Sequence, residues 1–158
     1  MDDIRSSAAA RKNTSQAEKA LAFFLRFLNQ PKQVGSIVPS SVFLERRLVR
    51  MGALAHARTV VELGPGTGGT TRALLRAMPH ESRLLAIEID HRLAELVRTD
   101  VRDPRLIAHR GTAEQIAAAL SQYALPAPDV VVSGIPFSTM PRAVGKKILR
   151  EIRAVLAP

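Results

Sequence analysis

The chain has 158 residues, 46% hydrophobic and 23% charged, with no cysteine and a formal charge of +9. That length suits one domain with a real core, and the lack of cysteine excludes disulfides and thiolate metal sites. The excess of 23 Lys and Arg over 14 Asp and Glu favours an anionic partner, either nucleic acid or an acidic membrane surface.

Taken in chain order, residues 1–13 read as a disordered tail, polar and rich in small side chains. Ser15 and Glu18 have the spacing of a capping box, opening a helix to about Asn29. Leu21, Phe24, Leu25 and Leu28 form its apolar stripe, flanked by Lys19, Arg26 and Lys32. Such a helix packs on the core or lies on an anionic bilayer. Arg26 breaks the apolar stretch, so no signal peptide or membrane span is read. A loop at residues 33–41 and a helix at about 42–51 complete an N-terminal segment over residues 14–58.

From Thr59 the pattern alternates between strand and helix. Strands are predicted at Thr59–Leu63, Arg83–Ile89, near Arg105–His109 and at Asp129–Ser133, the last continuously apolar and therefore expected to be buried. Helices are predicted at about 70–78, 91–101, 113–120 and 141–156. The expectation is a Rossmann-like α/β fold: a parallel sheet in the order 3-2-1-4, flanked by helices, with its ligand crevice at the carboxyl ends of strands one and four. The four histidines, His56, His80, His91 and His109, show no metal-ligand spacing, so no metal site is expected.

The chemistry concentrates after strand one, in Val61-Glu62-Leu63-Gly64-Pro65-Gly66-Thr67-Gly68-Gly69. Small residues let a backbone approach a ligand, and the following helix start offers unpaired N–H groups. Strand two ends in a second acid, Glu88, whose carboxylate at the same sheet edge can accept from two ribose hydroxyls. Gly64, Gly66 and Gly69 do satisfy the dinucleotide spacing, yet Glu62 gives a pyrophosphate nothing and a cation something. S-adenosylmethionine carries a sulfonium and an amino group and no phosphate, so it is the expected cofactor. No Gly-Lys-Ser/Thr follows the turn, which excludes a P-loop. After strand four, Ser133-Gly134-Ile135-Pro136-Phe137 offers a polar side chain, backbone carbonyls and an aromatic, a set suited to holding an amine in line with a methyl donor.

Together these segments, with Phe24-Leu25-Arg26-Phe27-Leu28 and Val34-Gly35-Ser36-Ile37-Val38-Pro39-Ser40-Ser41, resemble the bacterial phospholipid N-methyltransferases of the S-adenosylmethionine-dependent type. The resemblance covers about residues 23–158 and implies methylation of the phosphatidylethanolamine head group by a cytoplasmic protein, peripheral on the inner membrane face and attached through its N-terminal helix. It implies that Glu62, Gly64, Gly66, Thr67 and Gly68 shape the methionine pocket, that Glu88 binds the ribose and that Ile89 lies against the adenine. Ser36, Ile37 and Ser40 would close over the cofactor, and Ser133, Gly134 and Phe137 would form the catalytic set around the amine.

Two departures stand out. Gly111-Thr112-Ala113 stands where the family carries Gly-Asp-Ala, with Thr112 in place of the acid, and the chain stops at Pro158 where relatives continue with further strands. A four-stranded core would expose the edge of strand four, through which a homo-oligomer is expected to form. An rRNA adenine N6-methyltransferase ranks second: it shares the Ala-Ile-Glu-Ile-Asp strand but has Asn and Tyr where this chain has Ser133 and Phe137. The scarcity of aromatics, five Phe, one Tyr and no Trp, also counts against an RNA partner. A cofactor- or membrane-binding remnant without activity ranks third.

Overall fold

The computed structural model describes residues 54–156, which lie within one compact unit, Pro39–Pro158. The expected N-terminal helix, the loop with Ser36, Ile37 and Ser40, and the tail lie outside the described residues.

Four strands form one parallel sheet: β1 (Thr59–Leu63), β2 (Arg83–Glu88), β3 (Leu106–Arg110) and β4 (Val130–Ser133), in the order β3-β2-β1-β4. Between them run α1 (Gly69–Ala77), α2 (His91–Asp100) and α3 (Ile116–Gln122), and α4 (Arg142–Val155) follows β4. The stretch expected as one helix from Ala113 divides into a 3-10 turn, Ala113–Gln115, and α3.

Side chains alternate across a strand, so each sheet face has its own core. On one face Val60 and Leu84 pack with Leu74, Leu75 and Met78 around α1, and with Val97 of α2. On the other, Val61, Leu63, Leu85 and Ile87 pack with Ile116, Ala119 and Leu120 of α3 and Ile148 of α4. All five residues of β1 are buried, as a central parallel strand covered on both faces requires.

The fourth strand departs from expectation. Its residues are half-buried except Val132, because β4 pairs with β1 alone among the described residues and so lies at a sheet edge. A continuous apolar run marks low polarity on both faces but says nothing of how many neighbours a strand has.

Side-chain caps set the ends of these elements. Asp129 Oδ2 accepts from the N–H groups of Arg58 (2.7 Å) and Thr59 (3.0 Å), tying the start of β4 to the start of β1. The Arg105 guanidinium donates to the carbonyls of Leu75 (2.7 Å), Met78 (3.0 Å) and Pro79 (3.0 Å), and pairs with Asp103 at 2.7 Å. It thereby satisfies carbonyls that the end of α1 leaves without helical partners.

Candidate active site at the carboxyl edge of the sheet

The register puts Leu63 beside Ile87 on one side and Ser133 on the other, so the turns after β1 and β4 leave the sheet together. Strand order reverses between these two strands, which opens a crevice at such an edge. The Gly134 N–H donates to the Leu63 carbonyl at 2.8 Å, and a Cβ on Gly134 would stand 2.7 Å from the Gly64 carbonyl oxygen. The two motifs, about 70 residues apart in sequence, therefore touch backbone to backbone, and only glycine at 134 fits that approach.

The turn after β1 uses three glycines at positive φ: Gly64 (+73°), Gly66 (+57°) and Gly68 (+82°). Gly68 is the residue before α1 and sits close against Val97 and Val101, while a Cβ on Gly66 would meet nothing within 4 Å. Gly66 thus borders open space, as a backbone meant to lie under a ligand should. Thr67 is exposed, and its carbonyl accepts from Arg72.

Glu62 shares a sheet face with Val60 and points toward α1, where Thr71 Oγ1 donates to its carboxylate at 2.6 Å. It is 1% exposed, and burial pushes its pKa up to about 7; the Thr71 bond opposes this and the nearby Glu88 charge adds to it. Thr71 was not singled out by its sequence. The available signal was its place in the first turn of α1, nine residues after Glu62, where a hydroxyl can face back along the strand.

Glu88 ends β2. Its carboxylate accepts from the N–H groups of Gly66 (3.1 Å) and Asp90 (3.1 Å), so it holds the glycine turn across the strand gap. Burial raises its pKa, and those backbone bonds pull the other way. The side chain is buried, and the Ile89 N–H adds to these bonds, so of a carboxylate's roughly four lone-pair positions about one is left for a hydroxyl. Ile89 is half-buried, and Asp90 caps α2 by accepting from Arg92 (2.8 Å) and Leu93 (3.0 Å).

The remaining expected site residues divide between edge and core. Thr112 lies just past β3, beside the end of β2 because Gly111 N–H donates to the Glu88 carbonyl at 2.9 Å; its own N–H donates to Gln115. Ala113 is buried in the core around α3. Ser133 Oγ accepts from the Ile135 N–H at 3.2 Å, which shapes the turn and leaves its hydroxyl proton to donate elsewhere. Phe137 is half-buried, packed with Ile135 and Met140 against the α3–α4 core. Among the described residues no helix is long and apolar enough to cross a membrane.

Comparison with known proteins agrees with this geometry. Residues 60–158 match the family model described as a methyltransferase domain. The chain is 31% identical over 140 residues to an ornithine lipid N-methyltransferase of Singulisphaera acidiphila, covering 86% of this chain and 73% of that protein. It is 38% identical over 95 residues to a ribosomal RNA small subunit methyltransferase A of Caulobacter vibrioides, covering 59% of this chain and 34% of that protein. The chain thus spans only about a third of that second relative. Among solved structures, an O-methyltransferase from Bacillus cereus in complex with SAH aligns with a TM-score of 0.60 at 18% identity, over 91% of this chain and 62% of the other. The O-methyltransferase TomG from Streptomyces achromogenes, in complex with SAM, aligns at 0.61 and 21% over 90% and 60%. The family model spans the whole sheet, and the relative from Singulisphaera matches most of both chains. The chain belongs to the S-adenosylmethionine-dependent class I methyltransferases.

Proposed function

We propose that this chain methylates the primary amine of a membrane lipid head group, phosphatidylethanolamine or an amino-acyl lipid of the ornithine kind. The observation that carries this reading is the extent of the lipid-enzyme match, 86% of the chain against 59% for the rRNA enzyme. The longer match reaches beyond the shared methyltransferase core into the N-terminal segment. Ser133 and Phe137, where the rRNA enzymes' turn has Asn and Tyr, support the same choice.

The residues present suit S-adenosylmethionine, which supplies an electrophilic methyl group on a sulfonium. Open space over Gly66 leaves room for a ligand against the turn, and Glu88, tied to the same turn through the Gly66 N–H, would accept from a ribose hydroxyl. Glu62, buried at the end of β1, would answer the amino group through the methionine pocket shaped by Gly64, Gly66, Thr67 and Gly68. Ile89 and Thr112 would line the adenine side. At the other lip Ser133 and the carbonyl of Gly134 would accept from the substrate amine, and Phe137 would cover it. No strong base is required, since an amine that arrives deprotonated already presents its lone pair.

Two measurements test this. Calorimetry should show saturable binding of S-adenosylhomocysteine that Glu88→Ala abolishes. Labelled methyl groups should then pass to vesicles carrying phosphatidylethanolamine or ornithine lipid and not to small-subunit rRNA. Label on rRNA alone would replace the lipid reading with adenine N6-methylation, the second reading that the 38% match favours.

A further inference from the structure

Helix α4 buries one face and presents a different one. Val144, Ile148, Ile152 and Val155 pack toward the core around α3. At 3.6 residues per turn these four share one side, and Arg142, Lys146, Arg150 and Arg153 fall within an arc of about 80° on the opposite side. All four basic residues are exposed. None has an acidic partner among the described residues, whereas Lys147, further round the helix, pairs with Glu114 at 3.5 Å. Leu149, 55% exposed, borders the basic arc, and Leu156, 38% exposed, follows the helix end. They are the two exposed large hydrophobic side chains among the described residues, and both sit beside the same stripe.

We propose that this face of α4 is a docking surface for an anionic phospholipid bilayer. Two exposed leucines beside one all-basic stripe suit a bilayer interface better than water, and the stripe has no aromatic side chain on which single-stranded RNA bases could stack. Arginine and lysine heads around an apolar side chain suit a bilayer interface: the heads meet lipid phosphates while the leucines enter the acyl boundary. The helix also begins five residues after Phe137 of the Ser133–Phe137 turn. A Cβ on Gly145 would lie 3.6 Å from the Phe137 ring, so the first turns of α4 rest on that turn. A bilayer under α4 would therefore bring lipid head groups beside Ser133–Phe137, and this orientation, unlike the docking itself, rests on the lipid reading above.

The test uses the whole chain and vesicles of phosphatidylglycerol with phosphatidylcholine, which carry no acceptor amine, so failure of the lipid-substrate reading leaves the result untouched. A near-surface basic residue contributes about fivefold to partitioning. Replacing all four (R142Q, K146Q, R150Q, R153Q) should thus lower vesicle recruitment by roughly six hundredfold. Leu149→Ser should lower it separately. Both variants should keep the thermal transition of the parent, since the exchanged side chains are exposed. Undiminished recruitment of the fourfold variant, with loss only on Lys19→Glu and Arg26→Glu, would overturn the proposal. So would an RNA affinity that falls with the fourfold variant while Leu149→Ser leaves vesicle recruitment intact, which would mark a polyanion site.

Discussion

Glu62 is held 1% exposed at the end of β1, with a pKa near 7 caused first by its burial. A carboxyl whose folded pKa lies above its unfolded value stabilises fully below the unfolded pKa, 4.5, and loses that contribution as pH rises toward about 7. The difference corresponds to about 3 kcal/mol. Glu62→Gln should therefore stabilise the ligand-free protein at pH 8 by about 1–3 kcal/mol and leave it nearly unchanged at pH 4. Urea unfolding at the two values checks this, and equal effects at both would show that Glu62 is not neutralised by burial. The same variant should weaken S-adenosylhomocysteine binding, because the ionised form is the one a cationic amino group rewards. The glycines separate stability from binding in a second way. Gly66→Ala meets no neighbour, so it should cost only about 1 kcal/mol of left-handed backbone strain, yet lose ligand affinity at least tenfold by filling the open space. Gly134→Ala pushes into the Gly64 carbonyl and should cost about 1–3 kcal/mol. Equal losses of stability in the two variants, read by chemical denaturation, would contradict this contrast.

At the scale of elements, α1 depends on a residue from the far side of β2. Arg105 bonds three carbonyls at the end of α1 and is itself oriented by Asp103, whose pKa that pairing lowers. Arg105→Ala should destabilise the fold by about 2–4 kcal/mol, since it strips several partly buried acceptors at once. Arg105→Lys should recover less than half, because one ammonium cannot reproduce the planar fork. A loss below about 0.5 kcal/mol for the alanine variant, measured by thermal unfolding, would reduce the cluster to a surface ion pair. The α2 cap was open to sequence reading, since Asp90 stands directly before the helical pattern. The Arg105 clamp was not: its acceptors lie 26–30 residues away and are backbone atoms that no side-chain pattern announces.

Across the whole molecule two groups of acids act in opposite directions. Asp103 and Asp129 have pKa values lowered by their hydrogen bonds, so their contribution is present above the unfolded value, 3.8, and lost as pH falls through the lowered values. Glu62 and Glu88 are raised, chiefly by burial, and lose theirs as pH climbs above 4.5. These four acids favour pH 4–5 in the ligand-free chain against the opposite pull of His109, whose pKa burial lowers, and saturating S-adenosylhomocysteine should move the maximum upward by stabilising ionised Glu62. A pH series of melting temperatures with and without ligand reads both effects. A ligand-free maximum at pH 8 would show that the raised acids do not govern the profile.

The strand order β3-β2-β1-β4 and the pairing of a glycine turn with an acid at the next strand end followed from the sequence alone. Both depend on local regularities: hydrophobic period, punctuation by glycine and proline, and the short reach of one βαβ unit. The depth of Glu62 under Thr71, the hold of Glu88 on the Gly66 N–H and the backbone contact between Gly64 and Gly134 needed the folded chain. So did the half-exposure of β4, whose continuous apolar run was read as buried. Each of these is a relation between segments distant in sequence. Its energy depends on ångström-scale placement and on who else is nearby, which composition and periodicity do not encode.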